Sequence, residues 1–253
     1  MNPSEEQAKE KTQKVLFIGN SVFNTQGSSL VPFEGFCMTA RLNYDALSHF
    51  EFFGRSREGR VDPFMRNQAT DERIIKLLGS HQFDYVVLVT RYSDLLDEKK
   101  TLQTIEAFKQ MHARIVRSGA KTVISMAYTP TTAFQTISKV ANGHRRIKAE
   151  IDGMIFNGIT HPAILVPTGL LWIDGKEYFG KNAWYADKMH GTQLAQYATG
   201  CLFYTFITRE DPRENPFVDL PHPRKKKGLE IKKINSQHAK WIKDRAWSYF
   251  QNF

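Results

Sequence analysis

Apolar and polar positions along this chain fall into two alternating kinds of segment. Lys14–Ile18 (KVLFI), Tyr85–Val89 (YVVLV), Thr122–Met126 (TVISM) and Ala163–Val166 (AILV) are short, β-rich apolar runs, the pattern of strands buried on both faces. Ser48–Phe53 (SHFEFF) alternates and reads as an edge or second strand. Between them, Pro32–Ala46, Pro63–Leu78, Lys99–Ser118 and Gln135–Phe156 carry apolar residues at helical intervals. In the third of these, Leu102, Ile105, Phe108, Ala113 and Val116 form one stripe, and Gly119 supplies a stop.

Strand–helix alternation of this kind predicts an α/β fold: a five-stranded parallel sheet with helices on both faces, because each parallel crossover needs a connection of a dozen residues or more. After the fifth strand, Trp172–Ala186 reads as a polar, aromatic loop and Thr192–Ile207 as a helix. The Pro-rich Asp211–Pro223 cannot be regular helix and is expected to run extended over the surface as a strap. From Ser236 onward, Ala239, Ile242, Ala246, Tyr249 and Phe253 recur at spacings of three and four and predict a last helix facing the domain. The expected organisation is a polar extension over 1–13, one domain over 14–208, and a strap and amphipathic helix over 209–253 packed on that domain.

Composition narrows this only by exclusion. The chain has 253 residues, 41% hydrophobic and 24% charged, enough apolar material for one substantial core and unlike a disordered protein or a coiled coil. The two cysteines, Cys37 and Cys201, have no metal-ligand spacing, and the histidines outside the motif described below lack ligand partners, so no metal and no cofactor are expected. The opening MNPSEEQAKEKTQK has no apolar core of a signal peptide, and no later run reaches the ~18 apolar residues of a membrane span. A cytoplasmic protein without stable membrane insertion is the expectation. Of the net charge of +9, the segment from Arg209 onward carries more than half, with a run at Arg224–Lys227. Without interleaved aromatic residues this run reads as a solvated basic loop, and no nucleic-acid partner is expected.

In a parallel α/β sheet, chemistry gathers at the carboxyl ends of the strands. There, directly after the first strand, stands the turn Gly19-Asn20-Ser21. A serine on such a turn can present its hydroxyl above the sheet edge, with helix-start N–H groups available to an oxyanion; the same turn can equally be a plain N-cap. Asp187-Lys188-Met189-His190 precedes the helix at Thr192 and offers a base with a carboxylate to orient it, or, read alone, a helix-start cap.

Together, the Gly-x-Ser turn after the first strand, the alternating middle and the late Asp-x-x-His resemble the SGNH hydrolases, also called GDSL esterases and lipases. The resemblance spans about Lys14–Ile207 and implies a three-layer α/β/α, flavodoxin-like fold. It implies Ser21 as nucleophile, His190 as general base and acid, and Asp187 as its orienting partner. The C-terminal helix is similar to a decoration of some carbohydrate-directed bacterial branches. Two positions depart from the pattern. Asn20 replaces the usual Asp, and the segment after the third strand, Val89-Thr90-Arg91-Tyr92-Ser93-Asp94, lacks the Asn that normally completes the oxyanion hole. Arg91 or Ser93 would have to substitute, and Gly59, with Gly54 as rival, stands for the oxyanion Gly. Arg91 is equally suited to hold an anionic group of the substrate or to pair with Asp94. The resemblance thus implies a serine ester hydrolase without cofactor, acting on a short-chain acyl ester, acetyl first, of a small molecule or a glycan. The alternative is a non-catalytic carbohydrate-binding or scaffold protein with a degraded oxyanion hole.

Overall fold

The computed structural model describes residues 12–19, 28–50, 63–220 and 232–253. Five strands, β1 (Gln13–Gly19), β2 (Tyr44–Phe50), β3 (Tyr85–Val89), β4 (Lys121–Ser125) and β7 (Ile164–Val166), form one all-parallel sheet in the order β2-β1-β3-β4-β7. The apolar runs are continuous because both faces are covered. Val15, Phe17, Val87, Val89, Val123 and Val166 point into one core, while Leu16, Ile18, Val86, Leu88, Ile124 and Leu165 point into the other.

The first core lies against α1 (Leu30–Thr39), α8 (Gln193–Thr208) and α9 (Ser236–Asn252). The second lies against α2 (Phe64–Thr70), α3 (Glu72–Ser80), α4 (Glu98–Arg117) and α5 (Ile137–Asp152). A three-layer α/β/α architecture results, as the sequence implied. None of the described helices is long and apolar enough to cross a membrane.

Several boundaries differ from the sequence expectation, each for a local reason. The helix expected to reach Ala46 stops at Thr39, because Arg41 turns left-handed (φ 59°) and Leu42 N–H closes onto Cys37 O at 2.9 Å. The chain then enters β2 four residues before the predicted start at Ser48. The helix expected over Pro63–Leu78 is two, α2 and α3, because Asp71 is extended and its carboxylate caps Arg73 N–H at 2.9 Å. Past α5, Ile155–Phe156 (β5) and Ile159–Thr160 (β6) form a small hairpin over Asn157-Gly158, both at positive φ (51° and 81°). An Asn-Gly pair is the usual chemistry of such a turn.

The largest correction concerns Trp172–Ala186. Instead of a polar loop, the chain forms α6 (Thr168–Phe179) and α7 (Lys181–Trp184). Trp172 and Trp184 are fully buried, and Trp184 occupies the space a side chain at Gly175 would need. Tyr178 stacks on Trp241 of α9 with ring centroids 4.7 Å apart. Trp172, Trp184 and Tyr185 belong to a buried hydrophobic cluster, with Tyr178 exposed at its edge.

The strap turns at Pro212–Glu214, where Asn215 N–H bonds Pro212 O at 3.2 Å, and runs extended from Asn215 to Leu220; the basic run Arg224–Lys227 lies outside the described residues. Asn215 anchors it, donating to Phe36 O at 2.9 Å, while the Phe217 ring fills the place of the side chain that Gly35 lacks. The buried Lys243 of α9 donates to Asn215 O, so α9 and the strap clamp each other on α1 and α8. Ala239, Ile242 and Ala246 are buried as expected; Phe253, at the chain end, is exposed.

Candidate active site

β1 lies between β2 and β3 although β2 and β3 both follow it in the chain, so the connection from β1 to β2 and the one from β2 back across to β3 run in opposite directions and the strand order reverses at the carboxyl end of β1. This is the crevice where α/β sheets bind ligands. β1 ends at Gly19, two positions before Ser21. Asn20, Ser21, Gly54 and Gly59 lie outside the described residues. Asp187, His190, Arg91 and Ser93 are described, and all are at or beside this carboxyl edge.

Asp187 and His190 sit on a tight loop closed by an antiparallel bridge between Tyr185 and Gly191, with Ala186 N–H bonding His190 O at 2.8 Å. The spacing of three lets one carboxylate serve the whole loop. Asp187 Oδ1 accepts from Met189 N–H at 2.6 Å and from His190 N–H at 2.7 Å, and Oδ2 lies 2.8 Å from His190 Nδ1. Desolvation works against the charged form, but the hydrogen bonds from His190 and Met189 outweigh it and bring the carboxyl down to about 2. An ionised Asp187 accepts only, so Nδ1 carries the proton and Nε2 stands on the opposite side of the ring as a proton acceptor.

The loop is held from below. Tyr185 Oη donates to Thr129 O at 2.9 Å, Thr131 N–H bonds Lys188 O at 2.9 Å, and Gly191 lies so close to the Trp172 ring that a Cβ there would be 2.4 Å from it. Thr192 then caps α8. Gly191 and Thr192, which follow the motif, are therefore structural, and Asp187 and His190 are presented.

A cavity of about 210 Å³ opens beside this loop, between the segments leaving β3 (Thr90–Ser93) and β4 (Met126–Tyr128), with Met189 and Trp172 closing it. Both oxyanion substitutes suggested by the sequence, Arg91 and Ser93, line it. Arg91 Nε is also 3.4 Å from Asp94 Oδ2, and the buried Asp94 carboxylate accepts from Phe64 N–H at 2.9 Å. The two readings of Arg91 are thus compatible: it faces the cavity with its charge answered by Asp94. Sequence reasoning missed Tyr128, Met126 and Thr168 as lining residues. The carboxyl-edge rule applied to β4, as it was to β1 and β3, would have found Met126 and Tyr128.

His144 supports this wall from the core. Fully buried, its Nδ1 donates to Val140 O at 2.9 Å and its Nε2 accepts from Ala127 N–H at 3.2 Å. Burial pushes its pKa down from 6.5 to about 4, against the opposing pull of the Val140 carbonyl. The unfolded chain therefore takes up a proton that the folded chain refuses. Stability from this residue should be complete above pH 6.5 and decline as pH falls toward 4, by roughly 3 kcal/mol. Thermal melts from pH 7 to 4 should show that slope in the native protein and a shallower one in His144→Gln; equal slopes would exclude His144 as its source.

Among the described residues no group of three His, Cys, Asp or Glu side chains has metal-binding geometry. Cys37 and Cys201 are buried and unbridged, and desolvation pushes the Cys37 thiol up to about 12.

No protein-family profile matches the chain, and no curated protein matches its sequence. Solved structures do match. A DUF4886 family protein from Bacteroides uniformis superposes with a TM-score of 0.63 over 96% of both chains at 13% identity. A protein from Slackia heliotrinireducens, provisionally classed as an SGNH hydrolase, gives 0.58 over 78% of this chain and 100% of its own at 13% identity. The fold is that of the SGNH hydrolases. A family 3 carbohydrate esterase of Clostridium thermocellum also superposes, with a TM-score of 0.56 over 79% of this chain and 96% of its own at 17% identity. The SGNH superposition to the Slackia protein leaves part of the chain uncovered, whereas the Bacteroides protein matches nearly all of it.

Proposed function

We propose that the protein is a serine ester hydrolase. Ser21 Oγ attacks the ester carbonyl while His190 Nε2 takes its proton, Asp187 holding the imidazole in the required tautomer. The tetrahedral intermediate collapses as His190 returns the proton to the leaving alcohol. Water then attacks the acyl-Ser21 ester with His190 again as base, releasing the acid and regenerating the serine. The oxyanion is received by the Ser21 N–H, by Gly59 or Gly54, and by Ser93 or Arg91 in place of the missing Asn. The supporting observation is the Asp187–His190 pair, 2.8 Å apart at the carboxyl edge and next to a cavity that both oxyanion substitutes line. The substrate class is a short-chain acyl ester, acetyl being the simplest, with a carbohydrate as the alcohol; similarity to a protein named as a carbohydrate esterase supports that choice.

One observation favours the second reading, a carbohydrate-binding protein without turnover: Arg91 is partly committed to Asp94, which weakens its claim as an oxyanion donor. A fluorophosphonate ester separates the two. The native protein should gain one phosphonyl adduct, located on Ser21 by peptide mass spectrometry, and hydrolyse 4-nitrophenyl acetate; Ser21→Ala should do neither. Undiminished hydrolysis by Ser21→Ala would sink the mechanism, and binding of acetylated glycans without adduct or turnover would favour the second reading.

A further inference from the structure

At the amino edge of the sheet, opposite the Asp187–His190 loop, Tyr85, Lys121 and Ile164 each open a strand and together line a second cleft of about 240 Å³. We propose that this cleft binds a small organic anion: a carboxylate or phosphate monoester carried on an apolar body about the size of one ring. The inference is independent of the ester-hydrolase reading, since no residue of that site takes part.

Three observations carry it. The first is the gathering of basic side chains. Lys121, Arg209 and His161 line the cleft, and among the described residues no Asp or Glu does. They come from separate parts of the chain that only the fold unites: Lys121 begins β4, Arg209 caps α8 and His161 follows β6. Lys121 Nζ stands 5.6 Å from the centroid of the Tyr85 ring, its register partner at the start of β3, so the ammonium lies against a wall of the cleft. Arg209 is kept where glycine fits best, at a left-handed φ of 65°. Cations on one concave surface raise the local concentration of anions, and a guanidinium supplies paired donors that match a carboxylate or phosphate.

The second is that this charge has no answer within the fold. Among the described residues neither Lys121 Nζ nor the Arg209 guanidinium makes a hydrogen bond or an ion pair. The carboxylates beside the cleft are engaged elsewhere. Asp84 accepts from Lys14 N–H at 2.8 Å, and Asp152 accepts from Ala163 N–H at 2.7 Å while paired with Lys148. Glu210, next to Arg209 in the chain, does not line the cleft. The third is the apolar remainder. Val116, Ala120, Pro162, Ile164 and Ile207 complete the walls with the Tyr85 ring. An apolar cavity of ~150 Å³ accepts benzene, so this cleft holds a ring and a charged head group, and a bare inorganic ion would leave the apolar walls unused.

The test is calorimetric titration at low salt with four probes: 3-phenylpropionate, phenyl phosphate, the neutral 3-phenylpropionamide and inorganic phosphate. At least one of the two organic anions should bind with a Kd of about 1 mM or tighter, as expected for about eleven well-placed non-hydrogen atoms. The amide and inorganic phosphate should each bind about tenfold more weakly or worse. In Arg209→Gly and in Lys121→Gln the preferred anion should lose about fivefold or more in affinity. Arg209→Gly also relieves the left-handed backbone, so its Tm should stay level or rise by about 2–4 °C, which separates lost binding from lost folding. Arg91→Gln, which removes the cation of the cavity at the other edge, should bind like the native protein. Preference for 3-phenylpropionate makes the head group a carboxylate, preference for phenyl phosphate makes it a phosphate ester, and either upholds the proposal. No binding of either anion, an amide that binds as well as its acid, or an affinity lost in Arg91→Gln but kept in both cleft variants would overturn it.

Discussion

Ester turnover should fall by about 10⁴-fold in His190→Ala, with Tm little changed. The imidazole is the proposed path for the serine proton, and removing one member of such a unit costs nearly as much as removing all of it. The fold should tolerate the loss, since the side chain is a quarter exposed and the loop retains the bridge between Tyr185 and Gly191. Asp187→Asn is the sharper probe. The amide can still accept the two backbone N–H bonds, but it can donate toward Nδ1 and so favour the wrong tautomer, for a loss of about 10³–10⁴-fold. Because the Asp187 carboxyl lies at about 2, it remains ionised through any practical assay range, and its hydrogen bonds to the loop fail only as pH falls toward that value. The native rate should therefore show no carboxylate step from Asp187 between pH 4 and 8. Steady-state kinetics on 4-nitrophenyl acetate checks all three statements, and a His190→Ala enzyme within tenfold of native would remove His190 from the mechanism.

Gly200→Val should destabilise the fold by about 3 kcal/mol and depress turnover as well. Gly200 lies where α8 crosses the start of α1. A Cβ there would meet Pro32 Cβ at 2.6 Å, Ser29 O at 2.7 Å and Phe33 N at 2.9 Å. Two of the three are backbone atoms, so no rotamer change relieves the clash and α1 must move. At the same crossing Ser29 donates to the buried Gln196. α1 is the first described helix downstream of Ser21, so displacing it should disturb the proposed nucleophile's side of the site while the Asp187–His190 loop stays in place. Urea melts give the stability change. Activity retained at native level in folded Gly200→Val would show that the α1–α8 contact does not govern the serine.

The parallel α/β architecture was legible because a strand covered on both faces must be apolar at nearly every position, as Leu16–Ile18 and Val86–Val89 are. The start of β2 was harder to place, since Tyr44 and Ala46 are only half-buried and their alternation is short. Trp172–Ala186 was misread for a related reason. Its helices carry little amphipathic contrast: Trp172 and Trp184 are buried between α8, α9 and the Asp187–His190 loop, and composition alone cannot distinguish a buried ring cluster from an exposed one. Asp71 and Asn157-Gly158, by contrast, were readable breaks that periodicity over a long window passed across.

The chemistry divides along the same line. Asp187 and His190 could be paired from spacing because three residues is within the reach of one loop, and the contact between them is local. Arg91 and Ser93 could be placed at the edge because they directly follow a strand. The cavity depended on residues far apart in the chain: Thr90–Ser93, Met126–Tyr128, Trp172 and Met189 meet only when parallel strands set their carboxyl ends side by side. Its volume and the stacking of Tyr128 on Trp172 follow from packing among those distant segments, and packing has no periodic trace in a linear sequence.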